Sequence, residues 1–239
     1  MARQTNGTNQ GLLSASTLSA LYGSSRLAIS LWLNTTFAAD DDILLELSTN
    51  SNSNAGTFKI IANESSSGTF WIDVVGDIGK TAASIPSPSN SAWHHILINV
   101  EFANSALTEI ESWYVDGSAQ TMTKVYVNNN NTGTFGNYTL YVMSRANSSL
   151  FADGAIADLC IWAPSSAISS GDAATLAGGA RANTVRNSEI AYYWPLLGNS
   201  SPEPATIGGV DLTVNGATSG SDPAALAASA LTPLPWLRF

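Results

Sequence analysis

The 239 residues are 44% hydrophobic but only 11% charged, against about 25% charged in ordinary globular proteins. Eighteen acids and nine bases leave a net charge of −9, with no basic cluster along the chain. This excludes nucleic acid and anionic membrane as expected partners, since both demand concentrated positive charge. The length suits one all-β domain with a large core, kept soluble by Ser, Thr, Asn and Gly.

In chain order, "MARQTNGTNQGLLSASTLSALYG" breaks every apolar run with Ser, Thr or Asn. It holds no continuous signal-peptide core, and no later stretch has the length of a membrane span, so a soluble protein made in the cytoplasm is expected. From residue 26 to residue 162 short apolar segments alternate with turn clusters. "RLAISLWLN", "DILLELS", "TFKIIAN", "TFWIDVVG", "WHHILINVEF", "IESWYVDG", "KVYVN", "YTLYVMS" and "AIADLCIW" read as strands. "TNSNSNAG", "NESSSG", "PSPSNSA" and "VNNNNTG" read as tight turns between them. Repeated strands with no helix between them predict two antiparallel sheets stacked as a sandwich or jelly roll.

The only two histidines are adjacent, at the start of a strand whose Ile96, Ile98, Val100 and Phe102 recur with period two. His94 is therefore placed on the Ile/Val/Phe side and His95 on the Leu97/Asn99/Glu101 side, so the two cannot chelate one ion. A satisfied structural His94 and a solvent-facing or hydrogen-bonded His95 are expected. Cys160 is the single cysteine and alternates with Leu159 and Ile161, as a packed thiol does.

One stretch reads as helix. "SSAISSGDAATLAGG" offers Ser169 or Ser170 as N-cap, Asp172 in the first turn and a Gly178-Gly179 stop, enough for two or three turns. "IAYYWPL" and "VDLTVNG" follow, and then an Ala/Ser/Pro tail. One domain over residues 1–216, with a short amino-terminal lead, and an arm over 217–239 are expected. Leu234, Trp236, Leu237 and Phe239 load the arm's end with apolar area. Either the arm folds back on its own sandwich, or it inserts into a neighbouring subunit or partner after the flexible "GATSGSDPAALAAS" spacer.

"RLAISLWLN", "SAWHHILINVEF", "WYVDG", "GAIADLCIWAPSSAISSGDAATLAGG" and "AYYWPLLGN", in that order over roughly residues 10 to 216, resemble the laminin-G-like, concanavalin A-like jelly-roll domains. The resemblance implies an all-β, two-sheet antiparallel jelly roll with one short helix. Asp116-Gly117 fits its hairpin turn, and the Trp93 side chain the anchor at the start of a strand.

Relatives with this fold have varied uses, because sites are grafted onto the scaffold. Some are glycoside hydrolases with a Glu-x-Asp-x-x-Glu strand. No such segment occurs, and Glu109 and Glu111 read as two surface glutamates, so no catalytic residue and no enzyme activity are expected. Others bind sugars or proteins through calcium. Asp40, Asp41 and Asp42 are the weak candidates for a metal, with no second ligand group matched to them, so no cofactor is expected. Trp71 and Trp113 read either as sugar-stacking platforms on an outer face or as buried sandwich aromatics.

A third use is structural, in virions of tailed bacteriophages. The expectation is a non-enzymatic decorating or fibre-type homo-oligomer, assembled in the host cytoplasm into the virion. Its partners would be other virion proteins such as the major capsid protein, with Leu234, Trp236, Leu237 and Phe239 as partner contacts. The alternative is a carbohydrate-binding module that attaches to surface glycans.

Overall fold

A computed structural model describes residues 1–36, 41–49, 54–64, 68–102, 109–126, 132–198 and 200–229. In chain order the strands are β1 (Ala2–Asn6), β2 (Gly11–Ser14), β3 (Arg26–Thr35), β4 (Asp42–Ser48), β5 (Thr57–Ala62), β6 (Thr69–Val75), β7 (Lys80–Pro86) and β8 (His94–Glu101). They continue as β9 (Ile110–Val115), β10 (Ser118–Ala119), β11 (Thr123–Tyr126), β12 (Thr139–Val142), β13 (Asp153–Trp162), β14 (Ile190–Trp194), β15 (Leu212–Asn215) and β16 (Thr218–Gly220). Among the described residues two α-helices, α1 (Ser170–Ala177) and α2 (Ala224–Ser229), and three single-turn 3-10 helices complete the regular structure.

The strands form two antiparallel sheets of eight. The first runs β10-β9-β8-β3-β13-β1-β16, with β14 also paired to β13; the second runs β11-β7-β6-β5-β4-β12-β2-β15. Alternation along each strand sorts side chains between the inner core and the outer faces. Leu27, Ile29, Leu31 and Leu33 of β3 face Phe58, Phe70, Ile72 and Ile85 of the second sheet in one continuous core. Trp113 joins that core, packed edge-on against Phe70 with ring centroids 5.0 Å apart.

The expected sandwich is found, and most of the expected strands fall within a residue or two of their predicted ends. β1, β2, β7, the two-residue β10 and β16 are not among the stretches read as strands. The sequence of β7, "KTAASIP", presents small side chains where strand propensity looks for bulky ones. Residues 218–229, within the expected arm, are part of the folded unit: β16 pairs with β1, and Leu226 of α2 is buried against Ala2, Trp32 and Ala157. Residues 230–239, with Leu234, Trp236, Leu237 and Phe239, lie outside the described residues.

Helix α1 forms where expected. Ser169 caps it, its Oγ accepting from the Asp172 backbone N–H at 3.1 Å, while the Asp172 carboxylate reaches back to Ser169. The expected hairpin turn joins β9 to β10, with Asp116 and Gly117 at φ of 50° and 75°. A side chain at Gly117 would put its Cβ 2.9 Å from Ala174 of α1, so glycine is required there twice over.

The outer face of the first sheet is closed by a second apolar layer. Leu97, Cys160 and Trp162 project outward under Ile168, Ala173, Leu176 and Val185 from α1 and the segments on either side of it. Asp158 makes the bulge that lets β13 pair with β1 on one side of it and with β14 on the other. Its left-handed backbone (φ 52°) is held by a buried carboxylate that accepts from the Tyr193 hydroxyl (2.6 Å), the Ala182 N–H (3.0 Å) and Arg181 (3.2 Å).

Candidate functional site

The outer face of the second sheet is built differently. Two rows of cross-strand neighbours run over it: Ile43, Ile61, Trp71 and Ser84 in one, Glu46, Lys59, Asp73 and Ala82 in the other. Strands β5 and β6 each carry one charged residue, Lys59 and Asp73, in an otherwise apolar run. Because β-strands alternate, both charges fall on the side away from the core. The segments after β5 and β12 add Glu64, Arg145 and Leu150, which rise over the sheet and turn this face into a groove.

The groove encloses about 440 Å³. Ile43, Ile61 and Leu150 give it an apolar floor, continuous with Trp71. Around the rim stand three carboxylates, Asp41, Glu64 and Asp73, and three cations, Lys59, Lys80 and Arg145. Asp73 is fixed from two sides, accepting from Trp71 Nε1 at 2.6 Å and from Lys80 Nζ at 3.1 Å. Glu64 is not fixed: its Oε2 is shut off from solvent and has no hydrogen-bond partner among the described residues. Burial pushes the Glu64 carboxyl up from its ordinary range, and Asp73 and Asp41 push it further, against the pull of Lys80 and Lys59.

Of the expected site residues, Asp41 stands on this rim, with a left-handed backbone at φ 65°. Asp42 is 8% exposed, and its carboxyl is pushed up to about 6 by burial first, then by Asp153 and Asp41. Asp40 lies outside the described residues. Among the described residues no group of three or more His, Cys, Asp or Glu side chains gathers in metal-binding geometry. Trp71 does lie on an outer face, but at 7% exposure it serves as floor rather than as an open platform. Trp113 is a core residue.

The histidines point apart, as expected, and of the two alternatives for His95 the hydrogen-bonded one is found, not the solvent-facing one. His95 is the deeply buried one, because α1 and α2 cover the side taken for solvent. It shares a 2.9 Å hydrogen bond with Ser30 Oγ, stands edge-on to Trp32, and is driven down to about 4 by burial, against the opposing pull of Asp116. His94 joins Asp116 Oδ2 at 2.7 Å through Nδ1 and Ser89 Oγ at 3.0 Å through Nε2. That order of contacts is the one a serine nucleophile and its base would show. Nε2 also meets the Ser89 carbonyl oxygen at 3.2 Å, however, and satisfying that acceptor takes a proton on the nitrogen that would have to receive one. The trio instead clips the loop before β8 onto the β9–β10 hairpin.

Cys160 is wholly buried and its thiol pKa is raised by burial and by Asp158, the opposite of an activated nucleophile. Glu109 corrects the expectation of two surface glutamates. It is 2% exposed, while Glu111 at the surface pairs with Arg26, which also pairs with Glu101. Glu64, Lys80, Arg145 and Leu150 were not foreseen as site residues. The only trace Lys59 and Asp73 leave in the sequence is a charge interrupting an apolar strand.

The fold is shared with solved structures. A candidate carbohydrate binding protein from Bacteroides ovatus superposes with a TM-score of 0.64 at 14% identity, covering 91% of this chain. The chain spans 59% of that protein's length. The native heptameric SAP-like pentraxin from Limulus polyphemus superposes with a TM-score of 0.56 at 14% identity, covering 90% of this chain and 95% of its own. A search of curated protein sequences finds no match. The profile of the Laminin_G_3 family matches residues 6–172, from the end of β1 into the first turn of α1. The jelly-roll topology and this match over more than half its length place the chain in the concanavalin A-like lectin/glucanases superfamily, as a Laminin_G_3 member.

Proposed function

We propose that the chain is a non-catalytic glycan-binding module whose groove on the second sheet holds a neutral, hydroxyl-rich sugar. The observation that carries this is the groove itself, a ligand-sized hollow with an apolar floor of Ile43, Ile61 and Leu150 and a rim of three carboxylates and three cations. Sugar hydroxyls both donate and accept, so carboxylates and cations around one apolar floor are partners of the right kind. The rim carries both acceptors and donors around an apolar floor, which matches a pyranose with its ring of hydroxyls and its C–H face. Three acids balance three bases, so the groove asks for no net charge on its ligand, and the chain's −9 repels polyanionic glycans. The description of the Bacteroides ovatus structure supports the reading. A glycan array with and without calcium tests it: specific binding to neutral glycans is expected, lost in Glu64→Ala. No binding to any glycan would overturn it.

For the setting in which the module works, we propose the surface of a phage particle, as a decorating or fibre-type homo-oligomer in contact with the major capsid protein. The charge-poor composition and the apolar Leu234, Trp236, Leu237 and Phe239 favour it. Mass spectrometry of pelleted particles against the soluble fraction tests it: a fixed stoichiometry in the particles is expected. Its absence from particles would refute the setting and leave the groove untouched.

A further inference from the structure

A second cleft, sharing no residue with the groove, lies at one end of the sandwich. It encloses about 460 Å³ between Tyr22, Ala55, Asp77, Gly133, Phe135 and Tyr138. Its walls come from four separate loops, tied to one another through the backbone. Gly23 N donates to Phe135 O (3.2 Å), Phe135 N to Ser24 O (2.8 Å), Gly136 N to Gly56 O (3.1 Å) and Asp77 N to Thr132 O (2.8 Å). The Phe135 ring anchors this frame in the core between Phe102 and Phe58. The contacts are close: a Cβ at Gly136 would lie 2.1 Å from the Tyr138 ring, and one at Gly56 2.5 Å from Gly136 N. The cleft therefore holds its shape before any ligand arrives, which lowers the cost of binding.

Its chemistry points outward. The Tyr22 ring, on the wall of the cleft, is 71% exposed, the most exposed of the large hydrophobic residues among those described. Tyr138 is held by its hydroxyl donating to Ala55 O at 2.9 Å. Asp77 Oδ2 accepts from Thr132 Oγ1 at 3.3 Å, while its Oδ1 has no partner among the described residues. An exposed aromatic face beside a half-used carboxylate, on a rigid frame, is the pairing that recognises a pyranose: the ring takes the apolar C–H face and the carboxylate takes a hydroxyl.

We propose that this cleft is a second sugar subsite, taking one pyranose of a neutral glycan on Tyr22 and Asp77. It rests on the same sugar-binding reading as the groove but on none of the groove's residues. Calorimetric titration of the whole chain with neutral trisaccharides, namely cellotriose, maltotriose and galactotriose, separates the two. Two equivalents of the tightest-binding trisaccharide are expected. Tyr22→Ala should remove one, weakening that site at least tenfold with no change in the thermal midpoint, Tyr22→Phe should keep both, and Asp77→Asn should weaken the same equivalent. A single equivalent abolished by Glu64→Ala and untouched by Tyr22→Ala would overturn the cleft and leave the groove standing. A single equivalent abolished by Tyr22→Ala and untouched by Glu64→Ala would uphold the cleft and remove the groove. No heat with any trisaccharide, together with a blank glycan array, would overturn both.

Discussion

The outer faces of the two sheets begin from the same strand alternation and end in opposite states. On the first sheet, Leu97, Cys160 and Trp162 point outward into a lid of helix and turns, and Trp162 Nε1 finds a backbone acceptor, Val185 O, at 3.1 Å. On the second, Lys59, Asp73 and Lys80 point outward and stay within reach of a ligand. A face covered by its own chain is given over to stability. A face ringed with paired and half-paired charges forgoes that apolar burial and keeps hydrogen-bonding capacity for something else.

The sharpest way to break this contrast is Trp162→Ala. It empties a fully buried site in the lid of the first sheet, and a loss of about 3–5 kcal/mol is expected, read as a fall in the urea midpoint with sugar binding kept in the protein that remains folded. A loss below about 1 kcal/mol would mean the lid is not part of the core.

His95, under the same lid, should make the first sheet acid-sensitive. Its folded pKa lies near 4 instead of the ordinary 6.5, so the fold favours the neutral ring. That contribution is complete above pH 6.5 and is lost as the pH falls toward 4, about 3 kcal/mol in all. Denaturation of His95→Gln at pH 7 and pH 4.5 should show a correspondingly shallower pH dependence.

Asp42, at the start of β4 in the second sheet, acts with the opposite sign. Its carboxyl is raised from 3.8 to about 6, so its charge is a cost to the fold at pH 7, relieved as the pH drops through 6 and gone below 3.8. Asp42→Asn should gain about 1–2 kcal/mol at pH 7 and almost nothing at pH 3.5. The two groups offset each other over much of one pH window, and only the paired variants separate them.

The smallest effect on stability is expected from Lys59→Ala, within about 0.5 kcal/mol, because the ammonium sits on the open face. The same change should weaken glycan binding at least tenfold. Equal effects on stability and binding would erase the distinction between the faces.

What could be read in advance follows from how local each signal is. Period-two alternation in β3, β5, β6 and β8 and the Ser169–Asp172 capping pair are written in adjacent residues, and both appear as expected. β1 could not be read, because its polar "ARQTN" is a strand only by virtue of distant partners. Arg3 is buried on Glu203, 200 positions away, with Nε to Oε1 at 2.6 Å. His95 was placed on the correct side of its strand, but the lid over that side is formed by residues 168–185 and by α2, far along the chain. The groove failed for the same reason. Lys59 and Asp73 leave a mark as charges inside apolar strands, whereas Glu64, Arg145 and Leu150 arrive from loops whose convergence no local pattern encodes.

The position of β1 between β13 and β16 also sets an order of assembly. Among the described residues β1 has no sheet neighbour until residues 153–156 are made, and its other edge stays bare until residues 218–220 follow. Contacts separated by that much sequence close late and slowly. During synthesis β1 therefore waits as an unpaired ribbon until its partners follow, and its polar composition, which gives no local strand signal, keeps that waiting strand from sticking to its neighbours.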